Sequence, residues 1–569
     1  MLQFQPPSLS AVINGSRLGL AAASALVTST TTPTACSSSP ASIRPLSSPE
    51  DAAAQRRSYQ TATTAHKTRD MSADEKARPQ RPHIAWFPLG YKDAAYQWWT
   101  SISPTLAERN VLSHIPYLRE ARDQHAAAAA TASALDAASR PDPYGPRVWR
   151  SQMVTLSGKD RALNEYSIER VGEEVDDNLV VLHGYGAGLG FFYKNFEPLS
   201  RAPGWKLYAL DMLGMGNSTR PPFRVHAKDK AGKIAEAEAW FIDSLEEWRK
   251  IRNIDRFTLV GHSLGGYLSI AYALKYPGRL KKLVLVSPAG MPEDPFAVSE
   301  AMPEPDMSTL ENEFTQDQES VVHDERNRAN AQVKTNKATT TTTTTTTTNG
   351  ESTNGKSTNS NNAPKRPLPG WLVWLWDANV SPFSIVRFTG PLGPRFVSGW
   401  TSRRFNHLPA TEAQTLHDYA FSIFRQKGSG EYALAYILAP GAFARSPMVN
   451  RIAGVGRQIV AAAAAAERED GSGEKVSKET GVPVVMMYGE NDWMDVAGGF
   501  AAQERLKEAR RKALLENSDE EKRRENGSAK VVIVPKAGHH LYLDNPEAFN
   551  EMLRKEMDHT REQGMKGIV

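Results

Sequence analysis

Short apolar runs alternate with amphipathic stretches along most of this chain. Residues 164–171 and 178–183 read as strands, as do the first residues of WKLYALDMLGMGNS (205–218), which then turns through glycines. FTLV (257–260), KKLVLVSPAG (281–290), PVVMMYGENDWMD (483–495) and KVVIVPKAGHHLYLDNP (530–546) each open on a buried-strand pattern. Helical periodicity fills 106–118 and 231–252, resumes just after residue 263, and returns in a charged helix beyond 495 and in a terminal helix. Strands that are apolar on both faces, separated by such helices, predict an α/β architecture with a mainly parallel sheet covered on both sides. The pattern breaks at 301–366, a polar stretch with an unbroken threonine run from Thr339 to Thr348. That composition cannot bury enough apolar surface to offset its ordering entropy, so a disordered insertion is expected there. The Ala-rich 124–141 and the polar 467–480 read as solvated inserts, whereas 371–450 is apolar and aromatic without the alternation.

In such a sheet ligands gather at the carboxyl ends of the strands. Ser263, Asp492 and His539 each follow directly on an apolar run, which brings them to one sheet edge despite their separation in sequence. Ser263 lies in Gly261-His262-Ser263-Leu264-Gly265, between a strand and a helix. Small residues on both sides permit a strained corner that holds the hydroxyl out and directs backbone N–H groups of the first helical turn toward it. A serine hydroxyl needs a base and the base an orienting anion. His539, after the Lys-Ala-Gly turn, is assigned as base and Asp492 as acid, with Asp495 as the alternative acid. His540 is expected to face the other way and His262 to be a packed neighbour of the corner. HGYGAG (183–188) offers Tyr185 N–H, paired with Leu264 N–H, as an oxyanion hole. Asp211, Gly214 and Gly216 form a third turn, read as structural.

These motifs carry a resemblance. HGYGAG, the D-x-x-G-x-G-x-S of 211–218, GHSLGG and GHHLYLDNPEAFN (538–550) resemble the α/β-hydrolase subfamily of lysophosphatidic acid acyltransferases and N-acylphospholipid lipases. This subfamily also holds mitochondrial cardiolipin deacylases and a lipase co-activator of lipid droplets. SPFSIVRFTGPLGPRF (381–396) and GSGEYALAYILAPGAFARSPM (428–448) are similar to its cap. The resemblance covers roughly 84–300 and 367–560 and implies an α/β-hydrolase fold with a first core part (84–300), a mostly helical cap (367–466) and a second core part (467–569). The transit-like disordered N-terminal region (1–83) and the disordered insertion (301–366) are read from composition, and the insertion departs from the family pattern. The resemblance also implies a serine-dependent phospholipase or acyltransferase without a cofactor or metal, acting on phospholipid or lysophospholipid acyl esters. The family's H-x₄-D motif, linked to acyl transfer, is matched by His539 and Asp544; the plain alternative makes Asp544 a local structural acid. The co-activator branch has asparagine where this chain keeps Ser263. The remaining readings are a carboxylesterase or Pro-iminopeptidase-like hydrolase on the same scaffold and a catalytically silent lipid-binding adaptor.

Composition narrows the partners. Lys plus Arg (68) nearly balances Asp plus Glu (64), which argues against a nucleic-acid binder. The single cysteine, Cys36, excludes disulfides and cysteine chemistry from the folded part. No run of about 20 apolar residues predicts a membrane-spanning helix. WLVWLW places Trp371, Trp374 and Trp376 close together, and with Trp86, Trp98 and Trp99 they are expected either to meet a membrane surface or to line the cap. The first 49 residues lack Asp and Glu, are rich in Ser, Thr and Ala, and carry Arg17 and Arg44. A mitochondrial transit peptide fits that composition. A secretory segment at 18–27, or an extension with no address, are the alternatives, and Met71 offers a second start for a cytosolic form. Neither oligomeric state nor head-group preference is legible.

Overall fold

The computed structural model describes residues 88–120, 142–295, 374, 376–460 and 477–565. The transit-like region and the Thr-rich insertion lie outside the described residues, as do Trp86 and Trp371.

A nine-stranded sheet organises the chain. Its strands are β1 (Arg119–Glu120), β2 (Arg147–Thr155), β3 (Ala162–Arg170), β4 (Asp177–Leu182), β5 (Trp205–Leu210), β6 (Phe257–His262), β7 (Leu280–Val286), β8 (Val484–Gly489) and β9 (Ala529–Val534). They lie in the order β1-β2-β3-β5-β4-β6-β7-β8-β9. Only the β2–β3 and β3–β5 pairings are antiparallel. The parallel strands β6 and β8 are buried at every residue, as their continuous apolar sequences require. Strand β2, which lies between the two-residue edge strand β1 and β3, was not signalled by the pattern, because four consecutive residues from Arg150 to Met153 are exposed and carry mixed character.

Helices α1 (Tyr91–Thr100), α2 (Pro104–Leu112), α3 (Tyr193–Leu199), α4 (Lys230–Ile251) and α5 (Leu264–Lys275) precede the insertion. The expected 106–118 helix ends at Leu112, four residues before Pro116, whose ring cannot continue it. In α4 the buried positions Ile234, Ala237, Phe241, Leu245 and Trp248 recur every three or four residues along one face, and Asp229 caps the first turn through Gly232 N–H at 2.9 Å. After the insertion come α6 (Phe383–Phe388), α7 (Gly393–Arg404) and α8 (Ala410–Phe424), then α9 (Val496–Glu516) and α10 (Pro546–Met565). Helices α6–α8 form the mostly helical cap. Trp376 is a correction to the membrane-facing reading of WLVWLW: its indole is buried and donates to Leu438 O at 3.0 Å. An indole N–H in an apolar interior needs such an acceptor, and this one fixes the ring as cap lining.

Candidate active site

Strand β6 delivers the chain straight into α5 through Ser263, whose backbone stands at φ 52° and ψ −114°. For a residue with a Cβ this is strained by about 1–3 kcal/mol, so the surroundings must hold it. They do so by pairing Ser263 N–H with Val286 O at 2.9 Å and Ser263 O with Ala289 N–H at 3.1 Å, both beyond or at the end of β7. The flanking glycines are required by contact. A Cβ on Gly265 would lie 2.6 Å from His183 O, and one on Gly184 would lie 3.0 Å from Ser263 Cβ. The His-Gly turn after β4 is therefore pressed directly against the serine corner.

That turn is fixed by its own histidine. His183 Nδ1–H donates to Gly184 O at 2.7 Å and its Nε2 accepts from Met212 N–H at 3.1 Å, which defines a neutral tautomer. Burial holds this ring below its usual pKa. Because a trans peptide is planar, anchoring Gly184 O also fixes the direction of Tyr185 N–H. The Tyr185 ring meets Phe383 of the cap at 5.2 Å, and Phe383 stacks on Phe424 at 4.6 Å. An apolar aromatic roof thus lies over the His-Gly turn. Leu264 opens α5 and is fully buried.

Asp492 and His539 come together. His539 Nδ1 meets Asp492 Oδ1 at 3.2 Å, and the same oxygen accepts Met494 N–H at 3.0 Å. The other carboxylate oxygen accepts from Ser287 Oγ and from Gly489 N–H. Burial alone would raise this carboxyl's pKa, but the His539 ring, the Ser287 hydroxyl and Met494 N–H together hold it below its ordinary value. Nε2 of His539 is buried and has no hydrogen-bond partner among the described residues. The ring is wedged between Trp493 and His262, each 4.8 Å away. His262 donates through Nε2 to His539 O at 3.1 Å, and burial, then the neighbouring His539, keeps its ring neutral. A neutral neighbour does not oppose an imidazolium forming on His539. His540 is turned edge-on to His539, with ring centres 5.3 Å apart, and is likewise driven neutral by burial.

The alternative acid is placed elsewhere. Asp495 is the N-cap of α9, accepting Ala497 N–H at 2.9 Å, three residues along from the carboxylate that meets the imidazole. Asp544 makes no hydrogen bond to the His539 ring; it accepts Gly538 N–H at 2.9 Å and pairs with Arg404 at 2.7 Å.

Two residues at this edge escaped sequence reasoning. Ser287 supports Asp492 from the end of β7; a small polar residue directly after a central strand was the available signal. Glu108 of α2 was hidden on an ordinary amphipathic helix. Its Oε2 accepts Asn164 Nδ2 at 2.9 Å and Asn217 Nδ2 at 2.8 Å. Both asparagines also bond Asp211, whose Oδ1 takes Leu189 N–H, just after the HGYGAG turn, at 2.7 Å. Burial, then the nearby Asp211, pushes the Glu108 carboxyl from 4.5 up to about 8. Between those values the unfolded chain releases the proton and the folded chain keeps it, so folding loses stability as pH rises toward 8. Glu108→Gln is expected to raise Tm near pH 8, with the gain vanishing near pH 4.5. Differential scanning fluorimetry across pH reads this, and a gain that grows toward acid would contradict it.

The chain's likeness to known proteins agrees with this geometry. A family model described as the alpha/beta hydrolase fold matches residues 177–546. A 1-acylglycerol-3-phosphate O-acyltransferase from Arabidopsis thaliana is 30% identical over 402 residues, covering 70% of this chain and 69% of that protein. The 1-acylglycerol-3-phosphate O-acyltransferase ABHD5 of Mus musculus is 28% identical over 420 residues, covering 73% and 86%. The (lyso)-N-acylphosphatidylethanolamine lipase of Homo sapiens is 27% identical over 385 residues, covering 67% and 79%. With a mainly parallel sheet, a strained serine between β6 and α5, and a family match over most of its described length, this chain belongs to the α/β-hydrolase fold family, alongside its acylglycerol-phosphate acyltransferases and N-acylphospholipid lipases.

Proposed function

We propose that this protein moves acyl groups out of phospholipid esters through a covalent acyl-enzyme on Ser263. The observation that carries this reading is the Asp492–His539 pair at 3.2 Å with its far ring nitrogen buried and unpartnered, at the sheet edge where Ser263 stands at φ 52°. Ser263 Oγ attacks the ester carbonyl and gives its proton to His539 Nε2. The oxyanion is met by the Tyr185 and Leu264 N–H groups, worth about 10²–10³ in rate for each donor. As the tetrahedral species collapses, His539 returns the proton to the departing glycerol oxygen. An acceptor hydroxyl, from water or from a lysophospholipid, then loses its proton to His539 and takes the acyl group. Asp492 stabilises the imidazolium at both stages.

The names of the relatives, acylglycerol-phosphate acyltransferases and an N-acylphosphatidylethanolamine lipase, support a phospholipid substrate. The roof formed by Phe383, Phe424 and Trp400 suits an acyl chain. Purified protein incubated with a diacyl phospholipid and an acylglycerol phosphate should yield free fatty acid, newly acylated acceptor, or both. Turnover of short soluble esters with no action on either lipid would favour the carboxylesterase alternative.

Membrane contact belongs to the same proposal. No helix among the described residues is long and apolar enough to cross a bilayer. Helix α1 instead presents Tyr96 and Trp99, 71% and 82% exposed, and is fastened to the cap by Arg395 stacked on Tyr91 at 4.2 Å and by Gln97 on Asp418 at 2.7 Å. Trp374 and Phe388 of the cap are exposed as well. Interfacial aromatics of this kind favour the lipid headgroup level. Flotation with phosphatidylcholine liposomes is expected to fall several-fold in a Trp99→Ala, Phe388→Ala variant; unchanged flotation would remove α1 and the cap as the contact. Residence in mitochondria, and cardiolipin as the substrate there, is the localisation we propose. A full-length fluorescent fusion that never overlaps mitochondria would overturn it and leave the cytosol or the lipid droplet.

A further inference from the structure

The segment bearing His539 is closed on itself and gripped by the cap. After Gly538, His539 and His540 the chain makes one helical turn, Leu541–Asp544, with Asp544 N–H on His540 O at 3.0 Å. That turn carries the Asp544 carboxylate back over its own start, where Oδ2 accepts Gly538 N–H at 2.9 Å. Five residues from His539 is the separation at which one turn returns a carboxylate to the peptide just before the histidine.

The second carboxylate oxygen takes Arg404 Nη1 at 2.7 Å, from the last residue of cap helix α7. Both side chains are largely enclosed, 15% and 12% exposed. The next segment of the cap supplies a second hold, with His407 Nε2–H on Leu543 O at 3.3 Å; burial, then the adjacent Arg404, keeps that ring neutral. Asp544 therefore spends both oxygens within the protein, one on the base-bearing loop and one on the cap.

We propose that Asp544 is a positioning residue for His539, acting through Gly538 N–H and held in register by Arg404, so that the His539-x₄-Asp544 motif ties cap placement to base placement and does not act on the acyl acceptor. This rests on the acyl-enzyme reading above. It has a consequence for partition: with the same imidazole serving water and lipid acceptors, a looser loop slows both routes alike. Arg404 makes the tie depend on the cap's seating.

The test compares Asp544→Asn, Asp544→Ala, Arg404→Gln, Arg404→Lys and the Asp544→Asn/Arg404→Gln double variant in the full chain. Hydrolysis and transfer to an acylglycerol phosphate are read from one reaction, and the rate of fluorophosphonate labelling is read in parallel. Asp544→Asn keeps an oxygen for Gly538 N–H but loses the charge facing Arg404. It is expected to lower kcat about tenfold, and Asp544→Ala about 100-fold, with KM unchanged and the transfer-to-hydrolysis ratio within about twofold of the parent. Arg404→Gln should match Asp544→Asn, Arg404→Lys should recover part of the loss, and the double variant should be no slower than either single change, as expected for one shared contact. Labelling should slow in step with kcat. A transfer rate that falls more than about tenfold beyond hydrolysis would place Asp544 at the acceptor and overturn the proposal. So would full activity in Asp544→Ala. If Asp544→Ala does not fold, Asp544→Asn decides. Should neither lipid be a substrate, the phospholipid reading fails while the labelling rates still judge the positioning role; a parent protein that does not label fails both.

Discussion

Replacing Ser263 with alanine should abolish acyl release and transfer while leaving the fold intact. In a serine–histidine pair the two groups act as a unit, so loss of the nucleophile removes about 10⁶ in kcat. What remains would be the modest rate that an oxyanion site and a bound substrate sustain without a covalent step. The variant should be no less stable than the parent. Its alanine still carries a Cβ, so the φ of 52° remains strained, but that strain is already balanced by the hydrogen bonds to Val286 O and Ala289 N–H, which involve only backbone. Steady-state release of radiolabelled fatty acid, together with a melting curve, separates the two effects. Residual activity above about 1% of the parent would mean that another group carries the acyl transfer.

Asp492→Asn should cost about 10⁴ in kcat, and Asp495→Asn less than about tenfold. The asparagine at 492 retains an acceptor for Met494 N–H, but its amide group cannot stabilise the imidazolium as the carboxylate does. Ser287 is then left facing a group that no longer needs its proton, a second reason for the size of the loss. At 495 the side chain only caps α9, and asparagine caps a helix as well as aspartate does. The pH profile follows from the same carboxylate. Because its pKa lies below the ordinary value, the folded state is favoured while Asp492 is ionised, and that contribution is lost as pH falls through the depressed pKa. A profile in which Asp495→Asn is the slower enzyme would reverse the assignment.

The sheet was legible wherever both faces of a strand are buried, as in FTLV, KKLVLV and VVMMY, because an uninterrupted apolar run between helical patterns has few other solutions. β2 was not, since a strand with four consecutive exposed residues needs no such run. At the site, the serine corner and the two later turns announced themselves because each joins a buried strand to small or polar residues. The sequence favoured Asp492 over Asp495 without separating them, because both sit in one short loop; it is Asp492 whose carboxylate meets the His539 ring. Trp376 shows the same limit from another side. A tryptophan-rich hexapeptide fits a lipid surface or a cap interior equally well, and for Trp376 it is the acceptor offered by Leu438 O that makes the difference. Glu108 was invisible because its partners come from distant parts of the chain, Asn164 from β3 and Asn217 from the turn that begins at Asp211.

The acyl-enzyme itself is the thing to catch. Full-length protein should be quenched in acid during turnover of a diacyl phospholipid, digested, and mapped by mass spectrometry. The account predicts an added fatty acyl group on the peptide containing Ser263, present in the parent and absent from Ser263→Ala. Lipid turnover with no acyl group on that peptide, or with one on a different side chain, would contradict it.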